Sequence, residues 1–102
     1  MKSKYAILSM DIEDWYHLDY FSDKKVDKSK SMLDGVINYI ELLGKYNIKT
    51  TFFTLSELAD SAREIILHAA SQGHEIACHG KDHVRPVLKD VDVFYKEIVE
   101  AK

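Results

Sequence analysis

The sequence predicts an α/β fold built of alternating β/α units with parallel strands, and three observations predict it. Short apolar or β-branched runs alternate with segments whose apolar residues recur at three- and four-residue steps, in the order strand, helix, strand, helix, strand, helix. The spacing between runs suits right-handed crossovers, which join parallel strands. An acidic cluster and a histidine cluster each follow a strand, at the end of such a sheet where ligand-binding groups gather. With 102 residues, 46% of them apolar, residues 1–102 are expected to form a single domain with a real core.

The first strand is read at residues 5–10, where Tyr5, Ala6, Ile7, Leu8 and Met10 form a nearly continuous apolar run, the pattern of a strand buried on both faces. Residues 15–30 have no sustained period. They open with Trp15, Tyr16, Tyr20 and Phe21 and end in Lys, Asp and Ser, which reads as a long loop. From 31 to 46, Met32, Leu33, Val36, Ile37, Ile40 and Leu43 mark one face of a helix, with Gly44 and Asn47 as terminators. The run Thr50-Thr51-Phe52-Phe53-Thr54 marks a second buried strand within 48–54.

Asp60 or Ser61 is placed to cap a second helix with Ala62, Ile65, Ile66 and Ala69 inward, and residues 57–59 form a separate short turn. Gly73 falls where a left-handed cap closes that helix. The third strand spans 74–78, Pro86 keeps the next segment irregular, and a last helix from about residue 90 carries Val91, Phe94, Ile98 and Ala101.

Charge narrows the function. A net charge of -3 provides no broad basic field, so nucleic acid is not an expected partner. Lys24, Lys25, Lys28 and Lys30 are interleaved with Asp23 and Asp27, as in a solvated loop. No stretch has the length of a membrane span, and the apolar run after Lys2 and Lys4 is shorter than a signal peptide needs. The single Cys78 excludes an internal disulfide and fits a reducing compartment, so a cytoplasmic location is expected.

Two clusters carry chemistry. His79 and His83 stand four residues apart just past the third strand, where both imidazoles can turn toward one ion. Asp11, Glu13 and Asp14 stand directly after the first strand, where three carboxylates need water, a cation or a helix cap. Oxygen and nitrogen donors from two strand ends suit a divalent metal with open positions for water and substrate.

Each group also has a plainer reading. The acids can be loop and capping residues, and His79 and His83 can be surface histidines. His17, His68 and His74 read as structural or surface residues, Cys78 as packing or as a further ligand, and Asp82 as a loop acid or an imidazole partner. Trp15, Tyr16 and Tyr20 either cover the core or form a platform for a sugar ring. A receiver-type signalling domain also places acids after its first strand, but it wants a phosphorylatable Asp after the third, where Cys78 and His79 stand.

Three stretches, Asp11-Ile12-Glu13-Asp14-Trp15, Thr50-Thr51-Phe52-Phe53 and His79-Gly80-Lys81-Asp82-His83, together resemble the polysaccharide deacetylases, the NodB-homology carbohydrate esterases. The resemblance implies the first half of a distorted (β/α)7-8 barrel, and a metal-dependent removal of N-acetyl or O-acetyl groups from a sugar. It implies Asp11 as catalytic base. It implies His79, His83 and one acid, Glu13 or Asp14, as ligands of a divalent metal, zinc first, with Trp15 and Tyr16 toward an N-acetylated carbohydrate. Strand alternation puts Glu13 on the side of Asp11, whereas a turn beginning at Ile12 brings Asp14 in instead.

Gly80 stands where the family usually has Ser or Thr, which removes a hydroxyl that would brace the histidine loop. The chain is about half the family's usual length and stops before its later arginine and histidine motifs, so little activity is expected from it alone. A non-catalytic fragment that binds metal or glycan is the alternative. Three parallel strands cannot close, and their open edges favour self-association.

Overall fold

The computed structural model describes residues 3–18, 21 and 25–101. Lys2 and, from the expected loop, Tyr20, Asp23 and Lys24 lie outside the described residues. The elements are β1 (Ser9–Ile12), α1 (Asp34–Lys45), β2 (Thr51–Thr54), α2 (Arg63–Ser71), β3 (Glu75–Cys78) and α3 (Val91–Ala101), with single 3-10 turns at Trp15–His17, Ser56–Leu58 and Pro86–Leu88. All strand pairs are parallel, in the order β1-β2-β3. This is the alternating β/α plan expected from the periodicities.

Register places Met10, Phe52 and Ile76 side by side on one face, followed by Ile12, Thr54 and Cys78. That face receives the helices. Ile12 and Phe52 are fully buried against Val36, Ile40 and Leu43 of α1, Ala69 of α2, and Leu55, Leu58 and Ala62 of the connection between β2 and α2. The opposite face, with Ser9, Asp11, Thr51, Phe53, Glu75 and Ala77, is exposed or half-buried. The expectation of strands buried on both faces is therefore corrected: α1 and α2 cover one face, and the other is the face that points inward when such a sheet curls into a barrel.

The first strand also begins later than expected. Tyr5 and Ile7 are 91% and 97% exposed, because β2 starts opposite Ser9 and no strand lies alongside the earlier residues. α1 buries Val36, Ile40 and Leu43 but leaves Ile37 exposed and Met32, just ahead of it, likewise, a stripe narrower than the sequence suggested. It runs through Gly44 and is closed by Asn47, whose φ of 54° turns the chain while Ile48 N–H donates to Leu43 O at 2.9 Å.

α2 ends as expected at Gly73, with φ of 87° and His74 N–H donating to Ala69 O at 3.2 Å. Its start differs. Ala62 is the cap residue, without a side-chain bond, because a turn over 59–62 leads into the helix and Ser61 Oγ is spent on Leu58 O. α3 carries the expected apolar face but buries none of it, since among the described residues no strand follows β3 for it to pack against. None of the described helices is long and apolar enough to cross a membrane.

Candidate metal centre

Glu13, His79 and His83 converge just beyond the carboxyl ends of β1 and β3. Glu13 Oε2 lies 3.1 Å from His79 Nε2 and 3.3 Å from His83 Nε2, and one donor atom from each of the three lies within 4.8 Å of the others. The side chains are 23% exposed for Glu13 and 28% for each histidine, accessible from solvent yet held by neighbours. A tetrahedral ion with bonds of about 2.0–2.1 Å has ligand–ligand edges of about 3.3 Å, which the two spacings from Glu13 to the histidines match. The two imidazoles are tilted 45° to one another with centroids 5.3 Å apart, both edges turned to the carboxylate.

Local structure explains the convergence. His79 is fixed by the sheet, because its N–H continues the ladder to Thr54 O at 2.9 Å. Gly80 then turns with φ of 83°, and its carbonyl and that of Lys81 accept the N–H groups of Ser56 and Glu57 at 2.8 and 3.1 Å. The loop is braced by backbone bonds to the β2 connection, and the hydroxyl missing at Gly80 is not what holds it. His83 takes a left-handed backbone, φ 64°, which brings its ring back over the cluster.

Asp11 flanks the group, with Oδ2 3.7 Å from His79 Nε2 and a half-exposed carboxylate. Strand alternation carries Glu13 to the same side as Asp11. Asp14 is not brought to the histidines. It is buried, its Oδ1 accepts the N–H groups of Trp15 and Met32 at 2.9 Å each, and its Oδ2 accepts from Ser31 Oγ at 2.5 Å. Burial pushes its carboxyl pKa up, but the bonds from Ser31, Met32 and Trp15 outweigh this, so the net direction is down. The third acid is thus a cap that ties the β1 connection to the chain entering α1.

His17, read from sequence as structural or surface, is structural. Its Nδ1 accepts the Asp14 N–H at 2.8 Å, which leaves Nε2 to carry the proton toward Glu57 Oε1 at 2.5 Å. Trp15 is half-buried, donates its indole N–H to Lys30 O and packs edge-on against Tyr16 and Phe21. Tyr16 lines a hollow of about 220 Å³ that it shares with His83, Asp82 and Glu57, with the Lys28 ammonium 5.0 Å over its ring. Cys78 stays outside the cluster, its sulfur accepting the Gly80 N–H at 3.2 Å.

Two features were missed in the sequence. Glu57 follows β2 at the ligand-bearing end of the sheet and could have been singled out by that position alone. Lys89 bridges Asp82 and Glu97 at 2.7 and 2.5 Å, a contact with no local signature. Burial lowers the Lys89 pKa, and the two carboxylates more than offset it, so the net direction is up. Burial raises that of Asp82, but the bonds from Lys89 and the Val84 N–H prevail and hold it down.

A parallel β/α sheet of partial-barrel type, with a carboxylate and two imidazoles gathered beyond its strand ends, is the class that fold and site define. Residues 26–102 match the polysaccharide deacetylase family, and the chain belongs to that family. The matched segment holds both histidines, while the acidic cluster lies ahead of it. No curated protein sequence shows a significant match.

Solved structures share the fold. The peptidoglycan deacetylase PdaC from Bacillus subtilis aligns with a TM-score of 0.67 at 17% identity, over 93% of this chain and 40% of its own. The Bc1960 peptidoglycan N-acetylglucosamine deacetylase, solved in complex with a benzamide compound, aligns with 0.65 at 21% identity, over 93% and 37%. The PuuE allantoinase aligns with 0.66 at 16%, over 91% and 39%. The chain therefore spans about two fifths of the length of these structures.

Proposed function

We propose that this chain carries the metal centre and base of a hydrolase that removes N-acetyl or O-acetyl groups from a sugar of a polysaccharide or its precursor. The observation that carries the reading is the convergence of Glu13, His79 and His83 within 4.8 Å, with Asp11 at their side. One carboxylate and two neutral imidazoles suit zinc first and other divalent ions next, with positions left for water and substrate. The family description, and the names of two similar structures as peptidoglycan deacetylases, support an acetylated carbohydrate as substrate class.

A divalent cation held there would supply Lewis acidity to the acetyl carbonyl and to a water. In this reading Asp11 receives the proton of the attacking water. Its carboxylate is half-exposed and stands beside the histidines without being one of the three converging donors. Glu13, His79 and His83 would hold the ion, and the imidazoles must be neutral to do so. The Tyr16 ring, walling the hollow beside His83, supplies a surface for the apolar side of a sugar, and Trp15 packs edge-on against that ring.

The experiment is elemental analysis of purified protein beside His79→Ala and His83→Ala, followed by assay of acetate release from N-acetylglucosamine oligomers. About one zinc-like ion per chain, absent from both variants, is the expected result. A wild-type chain that takes up no metal at neutral pH overturns the reading. Metal uptake without acetate release favours a second reading, binding of metal or glycan without turnover, which the span of two fifths of the matched structures supports.

A further inference from the structure

We propose that Lys89 is a positioning residue for His83, bridging Asp82 on the histidine loop to Glu97 on α3 and so holding the imidazole toward Glu13 and His79. Its consequence for metal binding rests on the reading above, whereas its hold on the loop does not.

The two histidines are secured differently. His79 continues the β3 ladder, and the next two carbonyls are bonded to Ser56 and Glu57. His83 lies beyond those anchors, at a φ of 64° that a residue with a side chain keeps only when its surroundings hold it there. Directly before it, Asp82 Oδ1 accepts the Val84 N–H at 3.3 Å, so this carboxylate spans the backbone of His83. The same oxygen receives Lys89 Nζ at 2.7 Å, and Lys89 Nζ also reaches Glu97 Oε2 at 2.5 Å.

The Lys89 side chain is 10% exposed and that of Glu97 11%, so this is not a solvated surface pair. An ammonium that deeply placed between two carboxylates leaves uncompensated charge behind when it is removed. The bridge ties the loop to α3 at Glu97, beside Phe94 and Ile98, which line the same hollow as His79 and His83.

The test compares Lys89→Met, which keeps the aliphatic stem, and Lys89→Arg, which restores the charge. Two quantities are read on the whole chain: cobalt(II) affinity at neutral pH, and amide hydrogen exchange at Val84 and at His79 without metal. Lys89→Met is expected to weaken cobalt binding about tenfold or more. It speeds exchange at Val84 and spares His79, and Lys89→Arg restores both quantities. A merely stabilising ion pair would speed both amides together and leave the affinity of the folded protein unchanged.

Unchanged Val84 exchange and unchanged affinity in Lys89→Met overturn the proposal. If that variant fails to fold, Glu97→Gln replaces it, and wild-type behaviour there overturns the proposal equally. A wild-type chain that binds no cobalt removes the metal-centre reading, while Val84 exchange alone still decides whether Lys89 holds the loop.

Discussion

Glu13 Oε2 meets His79 Nε2 at 3.1 Å across 66 positions of sequence, while the adjacent Asp14 faces away into its own cap. Neighbouring acids with opposite employment make a clean comparison. Glu13→Ala is expected to abolish metal uptake, a loss above the roughly tenfold to hundredfold typical of outer partners, with little effect on the stability of the metal-free chain. Asp14→Asn is expected to do the reverse. Isothermal titration with zinc, paired with urea unfolding, checks both; loss of metal in Asp14→Asn with retention in Glu13→Ala would reverse the assignment.

How much of this could be read beforehand depends on where the deciding contact lies. Alternation along β1 already aligned Glu13 with Asp11, a local effect. What removed Asp14 was Ser31 and Met32, 17 and 18 residues away, which no local pattern reports. The stripes of α1 and α2 were legible because those helices pack on the sheet, and Gly73 because only a left-handed cap fits its place. Tyr5 and Ile7 read as strand, yet pairing begins at Ser9, because the partner strand sets the register. Lys89 gave no sign at all, since its two carboxylates come from a loop and a helix on either side of it in sequence.

The Asp14 cap also makes an acid-stability prediction. Its pKa is held below the ordinary carboxylate value, so its contribution is complete above the unfolded pKa and is lost as pH falls through the folded one. Asp14→Asn is expected to lose about 1–3 kcal/mol at neutral pH, the scale of hydrogen bonds to a charged group. The difference from wild type begins to close near the ordinary Asp value of about 3.9, where the unfolded chain takes up its proton, and is gone only below the lower folded pKa. Urea midpoints across acid pH decide it, and a gap that stays constant would place the stabilisation elsewhere.

Gly80 yields a prediction of backbone origin. Its φ is 83°, and an added Cβ would meet no atom within 4 Å, so strain rather than crowding sets the cost of a side chain. Gly80→Ser is expected to destabilise the chain by about 1–2 kcal/mol, although serine is common at this place in the family. Chemical denaturation measures it. A serine variant as stable as wild type would mean that its hydroxyl braces the loop after all.

The open sheet predicts association. Among the described residues β1 and β3 each pair on one side only, and the extended lead into β1 exposes Tyr5 and Ile7. Such edges template pairing with another chain, and a lysine there blunts them. Sedimentation is expected to show concentration-dependent mass above that of one chain, reduced by Ile7→Lys. A wild-type chain monomeric at every concentration would exclude this.

His74 supplies a pH dependence of a different sign of charge but the same direction. It is buried beside Phe52, and its Nδ1 accepts the Thr50 N–H at 3.1 Å, a bond only the unprotonated nitrogen can make. Burial lowers its pKa, and the nearby Lys49 and His68 lower it further. The neutral form is therefore favoured in the folded chain, and the unfolded chain takes up its proton first as pH falls. Stability is complete above the ordinary histidine value of about 6.5 and declines as pH drops from there through the folded pKa. His74→Asn keeps an acceptor for Thr50 without the titration, so its stability should stay level across the same interval. Metal-free thermal midpoints from neutral to mildly acid pH test this, and a wild-type slope that survives in His74→Asn would assign it to another histidine.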